Sequence, residues 1–201
     1  MDLPHPQSFY PELSDDRLRA IAVALLDVRY TTLREMNSPF DDNYTREATV
    51  FGRQKNKLID LAKNGERAWL SLRHAGMDVT FCIGQVPCRF FTDDPKNPEK
   101  NGFFRRNAVD DLFAPNDTDP VVWRFVVERA FADEDEDRVY FLGYNVFQEP
   151  VAEWTYGARP SSLHAADDRV PPPAHIGPAE VDVLDDDAVP SSGDLKTGND
   201  A

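Results

Sequence analysis

The chain has little of what usually announces a function. Two cysteines, Cys82 and Cys88, stand among 201 residues. On one extended strand they would lie roughly 20 Å apart, whereas a disulfide wants Cα atoms about 4.4–6.8 Å apart. Gly84 and Pro87 between them are able to fold the segment back. The ordinary reading is two reduced, partly buried thiols. No apolar run approaches the ~18 residues that span a bilayer. The opening "MDLPHPQSFYPEL" has neither a basic n-region nor an apolar h-region. A soluble, cytoplasmic protein with no membrane partner is therefore expected.

Signatures of chemistry are also scarce. There is no G-x-x-x-x-G-K-[ST], no G-x-G-x-x-G after a strand and no G-x-S-x-G elbow. Zinc needs four ligands, and two cysteines with His74 make an incomplete set. No lysine occurs between Lys100 and Lys196, which argues against the acid-beside-lysine arrangement of metal-dependent nucleases. There are no internal repeats. No cofactor and no metal are expected.

What the chain does have is acid. The net charge is −14. Residues 1–67 contribute −1, residues 68–157 contribute −7 and residues 158–201 contribute −6. Such a balance repels phosphate backbones at long range, so direct nucleic-acid binding is disfavoured. Bases are mostly arginine and acids mostly aspartate, a bias that a GC-rich genome or a salty cytoplasm would each produce.

Periodicity gives an α+β reading. Residues 1–13, with three prolines, read as an extended N-terminal arm. Ser14 suits an N-cap, with Asp15 and Asp16 favourable in the first turn. Leu18, Ile21, Leu25 and Val28 recur at helical spacing, which predicts a helix from about Asp15 to Met36. "NSPFDDN" ends it. A second helix is predicted from about Tyr44 to Lys63, with Ala48, Phe51, Leu58, Ile59, Leu61 and Ala62 on its apolar side. Gly65 stands at its C′ position, and Gly52 would mark a kink or a close helix crossing.

After Gly65 the period changes to two. "RAWLSLRHAGMDVTFCIG" reads as a β-hairpin, with "VPCRFF" extending its second strand past a bend at Pro87. "VVWRFVVERAF", "RVYFLGYNVF" and "VAEWTY" read as strands, although the first also suits a buried helix. The expected fold is two N-terminal helices on one face of a mainly antiparallel sheet of about five strands, in a single domain over 14–157. Residues 158–201 hold six prolines, nine acids and no aromatic residue. They cannot bury enough apolar surface to offset ordering and read as a disordered acidic tail, with "AEVDVLDDDAV" as a short recognition segment within it.

The run Asp133–Asp137 reads as a solvated hairpin tip. Asp133, Asp135 and Asp137 fit the start of a calcium loop, but Arg138 stands where that loop needs glycine. The long segment 92–120 is the best candidate for a functional loop, with "NAVDDLF" a short helix inside it. Its "NGFFRRN" places Phe103 and Phe104 before Arg105 and Arg106, the composition of interface hot spots. The arginines also suit a carboxylate or phosphate clamp or pairing with Asp110 and Asp111, and the two rings suit anchoring the loop in the core. "RQKNK" (Arg53 to Lys57) reads as a solvated helix face. Glu128, Glu149 and Glu153 flank strands; Glu128 reads mainly as a rim residue paired with Arg124 or Arg129.

The favoured expectation is a non-enzymatic interaction or regulatory module whose partner is a protein, a basic one on charge grounds, met through Phe103, Phe104, Arg105 and Arg106. The alternative is a small enzyme or ligand-binding domain with a pocket between helices and sheet, built from His74, Cys82, Arg124, Glu128 and Tyr144. A third, weaker option is an acidic mimic of nucleic acid.

Overall fold

The computed structural model describes residues 3–106, 118–130 and 136–157. The helix expected in "NAVDDLF", the acids Asp133 and Asp135 and the tail from residue 158 lie outside the described residues.

Two long helices come first. Helix α1 spans Asp15–Glu35 and begins at Ser14, whose side chain makes no capping bond. Instead Asp15 Oδ1 accepts from the Trp154 indole N–H at 2.7 Å, tying the helix start to the last strand. Helix α2 spans Asn43–Lys63; the Asp42 side chain caps it by accepting from the Thr45 N–H at 2.7 Å. The helices pack on each other. The fully buried Gln54 donates to the Leu25 carbonyl, and Arg53 pairs with Glu35. Gly52 has no non-local atom near its missing Cβ, so it marks no close helix crossing. Ala48 is exposed, and Val50 and Gln54 take the buried positions expected of it.

Six strands follow: β1 (Leu70–His74), β2 (Thr80–Ile83), β3 (Val86–Thr92), β4 (Val122–Glu128), β5 (Arg138–Tyr144) and β6 (Pro150–Tyr156). They lie in sequence order in one sheet. Every neighbouring pair is antiparallel except β3 and β4, which run parallel. "VVWRFVVERAF" is thus strand over Val122–Glu128. The sixth strand arises because "VPCRFF" is a strand of its own, not an extension of β2. Gly84, with φ of 60°, turns the chain through a tight hairpin that closes on the pair Ile83 and Val86, and a glycine at the first loop position suits such a turn. Ladder alternation then points the Pro87 nitrogen away from β2, before the pairing with β4 begins at Cys88. The missing N–H of Pro87 therefore removes no sheet bond.

The helices cover one face of the sheet. Leu18, Ile21, Leu25 and Leu58 meet Phe81, Phe90, Phe125 and Phe141 there. The Trp123 and Phe141 rings stack at 5.2 Å. Gly143, opposite Trp123 in the ladder, leaves room for that indole; a Cβ on it would lie 2.7 Å from the ring. Burying each such aromatic side chain contributes about 1.5–3 kcal/mol.

The N-terminal arm is not extended. It forms a 3-10 helix at Pro6–Ser8 and buries Pro6 and Leu13. Phe9 and Tyr10 meet the Trp123 ring edge-on. Aromatic residues between its prolines supply the apolar area that such a short segment needs to dock.

The acid run is also more than a solvated tip at its described end. Asp137 is 7% exposed. It accepts from Arg29 Nε and, at 2.7 Å, from the Ala130 N–H. Arg29 also holds both carboxylate oxygens of Glu47 at 3.0 Å. One buried guanidinium thus ties α1, α2 and the start of β5 together. Glu128 pairs with Arg138 at 3.6 Å, not with Arg124 or Arg129.

Candidate functional site

The opposite face of the sheet is built differently. Side chains alternate along a strand, so the helix-facing Cys88, Phe90, Trp123 and Phe125 leave Arg89, Phe91, Val122, Arg124 and Val126 on the second face. Of the chain between β3 and β4, the described stretch around Phe103 and Phe104 lies over that face. Phe103, 1% exposed, packs there with Phe91, Phe104 and Tyr144, at ring separations of 4.9–5.5 Å. Burial pushes the Tyr144 phenol well above its ordinary pKa, so it stays neutral.

Arg124 holds this stretch in place. It is 1% exposed. Its Nε donates to the Phe103 carbonyl at 2.7 Å and its Nη2 to the Arg105 carbonyl at 3.0 Å, while Nη1 donates to the Trp123 carbonyl at 2.9 Å. Taking a guanidinium out of water is costly, and charge-assisted bonds of this kind offset the cost.

Beside this clamp lies a cavity of about 350 Å³ lined by Arg73, His74, Asp78, Thr80, Pro87, Arg89 and Arg105. Three arginines and a histidine surround it, with one carboxylate. Arg73 Nε donates to the Cys82 sulfur at 3.4 Å and Arg89 Nε to Thr80 Oγ1 at 3.2 Å, which fixes both stems. Arg105 pairs with Asp78 at 3.3 Å, both largely exposed. In a chain of net charge −14, such a pocket is a local reversal of sign. Guanidinium groups from three segments offer planar donor pairs suited to carboxylate or phosphate oxygens.

The expected residues divide. Phe103 is buried and is not available to a partner; Phe104 is half-buried against it. The two rings are the anchor that positions Arg105. Arg105 and Arg106 are exposed, and Arg105 pairs with Asp78; Asp110 and Asp111 lie outside the described residues. His74 lines the cavity, Cys82 sits under Arg73 and Arg124 holds the Arg105 carbonyl, so these three share one region. Tyr144 belongs to the aromatic cluster. Glu128 lies four residues along β4 from Arg124, roughly 13 Å away. His74 is paired with Thr80 and Cys82 with Ser71, so the histidine does not face the thiol across the ladder.

The helix–sheet interface, where a pocket was expected, is filled by the core already described. A larger, open groove of about 710 Å³ runs along the outer side of the helix pair between Val23, Asp27, Thr31, Arg53, Lys57 and Arg67. Among the described residues there is no cluster of metal-ligating side chains and no helix long and apolar enough to cross a membrane. Cys82 and Cys88 are buried, not disulfide-bonded, and lie on opposite faces of neighbouring strands.

Arg73 and Arg89 were missed in the sequence. Their signal is there: each is a charge inside a strand, Arg89 between Cys88 and Phe90 and Arg73 after Leu72. Only the register of three strands, β1 to β3, shows that they converge.

No protein-family model matches the chain, and no curated protein and no solved structure matches it.

Proposed function

We propose that the chain is a non-enzymatic binding module that takes an anionic group of a protein partner into the pocket of Arg73, His74, Arg89 and Arg105. The observation that carries this reading is the reversal of sign: three arginines converge on one cavity in a strongly acidic chain. Long-range repulsion from the remaining acid makes the pocket selective, since an anion gains there only if several guanidinium donors reach it at once. The overall balance still favours a partner whose surface beyond that anionic segment is basic. Two buried cysteines without a disulfide suit a reducing, cytoplasmic setting.

A titration of full-length protein with citrate, followed by amide chemical shifts at low ionic strength, tests the reading. Saturable shifts at Arg73, Thr80 and Arg89, weakened in Arg73→Ala and strengthened in Asp78→Asn, are expected. The absence of saturation, or an affinity indifferent to both substitutions, removes the reading.

A further inference from the structure

We infer that the partner group reaching this pocket is carried on an extended acidic peptide that adds to the free edge of β1 as a seventh strand. The inference rests on the pocket reading above and names the partner class. Strand β1 ends the sheet, and among the described residues it has a strand neighbour on the β2 side alone. The other end is less open, because the Glu153 N–H on β6 bonds to the Pro4 carbonyl at 3.1 Å.

The direction of the open main-chain groups follows from one bond. The Gly84 N–H donates to the Trp69 carbonyl at 2.7 Å, in the same register that pairs Leu70 with Ile83 and Leu72 with Phe81. In an antiparallel ladder, alternate residues bond to the neighbour and those between them point away. Trp69 and Ser71 therefore face β2, and Leu70 and Leu72 face outward. The Leu70 N–H is taken by the Arg67 carbonyl at 2.9 Å. The outer edge thus offers the Leu72 N–H as a donor and the Leu70 and Leu72 carbonyls as acceptors.

The side chains say which peptide fits. A strand laid about 4.8 Å outside β1 puts every second side chain on the pocket face, at a repeat of about 6.8 Å. There it meets Arg73 and His74 of β1, with Arg89 and Arg105 behind them. On the other face it meets the half-buried Leu72 at the rim of the helix-side core. Acidic residues alternating with apolar ones satisfy both faces. Strand β1 is short, charged and bulged between Leu72 and His74, features that discourage indiscriminate edge pairing. The same charges that reject a basic strand favour an acidic one, and main-chain bonds with alternating side-chain pockets are the usual means of strand addition.

A synthetic heptapeptide of alternating glutamate and valine is the probe, with full-length protein. Saturable binding is expected, with citrate as competitor, a lysine-for-glutamate peptide weaker by about tenfold or more, and Leu72 amide exchange slowed about tenfold at saturation. A heptapeptide N-methylated on alternate residues keeps its charges but loses its edge bonds and should bind about tenfold more weakly. Equal binding by the N-methylated peptide, or an unprotected Leu72 amide, overturns strand addition while citrate binding leaves the pocket reading standing. Failure of both peptide and citrate to bind overturns the two together. The peptide variants need no substitution in the protein, so misfolding does not enter the result.

Discussion

The two faces of the sheet are made from alternate residues of the same strands, and they do opposite things. On one, Phe81, Phe125 and Phe141 meet two helices and exclude water. On the other, Arg89 and Arg124 sit at the equivalent strand positions and, among the described residues, the segment around Phe103 covers part of the surface. The first face gains its stability from area. The second holds charge in place with hydrogen bonds and leaves a cavity beside them. The cavity thus lies where the packing is incomplete and the charges are fixed.

Substitutions separate the two faces, beginning with the largest effect. Phe125→Ala should cost about 3–5 kcal/mol in chemical denaturation, the range for deleting a buried aromatic ring. A loss under about 1 kcal/mol would mean that the helix face is not the main source of stability. Arg124→Ala should cost about 2–3 kcal/mol, because three carbonyls lose a charged donor. Hydrogen exchange should rise at residues 103–106 while α1 and α2 keep their protection. Uniform loss of protection would show instead that the two faces melt as one.

The edge of the helix face titrates. The Asp15 carboxyl lies below its ordinary pKa, through the Trp154 indole N–H first and Arg19 next. A depressed folded pKa gives stability that is present above the unfolded value near 4 and fades as pH falls through the folded one. Asp15→Asn should cost under about 1 kcal/mol at neutral pH, as an exposed pair and one hydrogen bond allow. Thermal melts of the two proteins should converge as the pH falls below that depressed folded value; a constant gap would remove Asp15 as the cause. The smallest effect on stability is expected from Arg73→Ala, within about 0.5 kcal/mol for an exposed strand residue, with anion affinity down about tenfold. A large loss of stability would recast Arg73 as structural.

Much of the first face was legible in the sequence, and little of the second. The helices were readable from Leu18, Ile21 and Leu25 and from the stop at Gly65, because a single amphipathic stripe carries its own period. Strands β4 and β5 were readable from alternation. The break between β2 and β3 was not, since "GQVPC" hides a two-residue turn and Pro87 looks like an interruption when its position costs no bond. The burial of Asp137 was hidden because its partners, Arg29 and Ala130, are set by tertiary contact. The pocket depends on register. Arg89 and Arg124 are neighbours only because β3 and β4 run parallel, and nothing local in either strand announces that pairing.

The parallel seam has a further consequence for how the chain assembles. On each side of it stand three strands joined by connections of at most nine residues. The seam alone must close a loop of nearly thirty residues, and closing entropy grows with length. The sheet thus consists of two meanders of local pairings joined at one non-local junction. Arg89, which lines the cavity, and Arg124, which holds the Arg105 carbonyl, face each other across that junction, so the cavity depends on it.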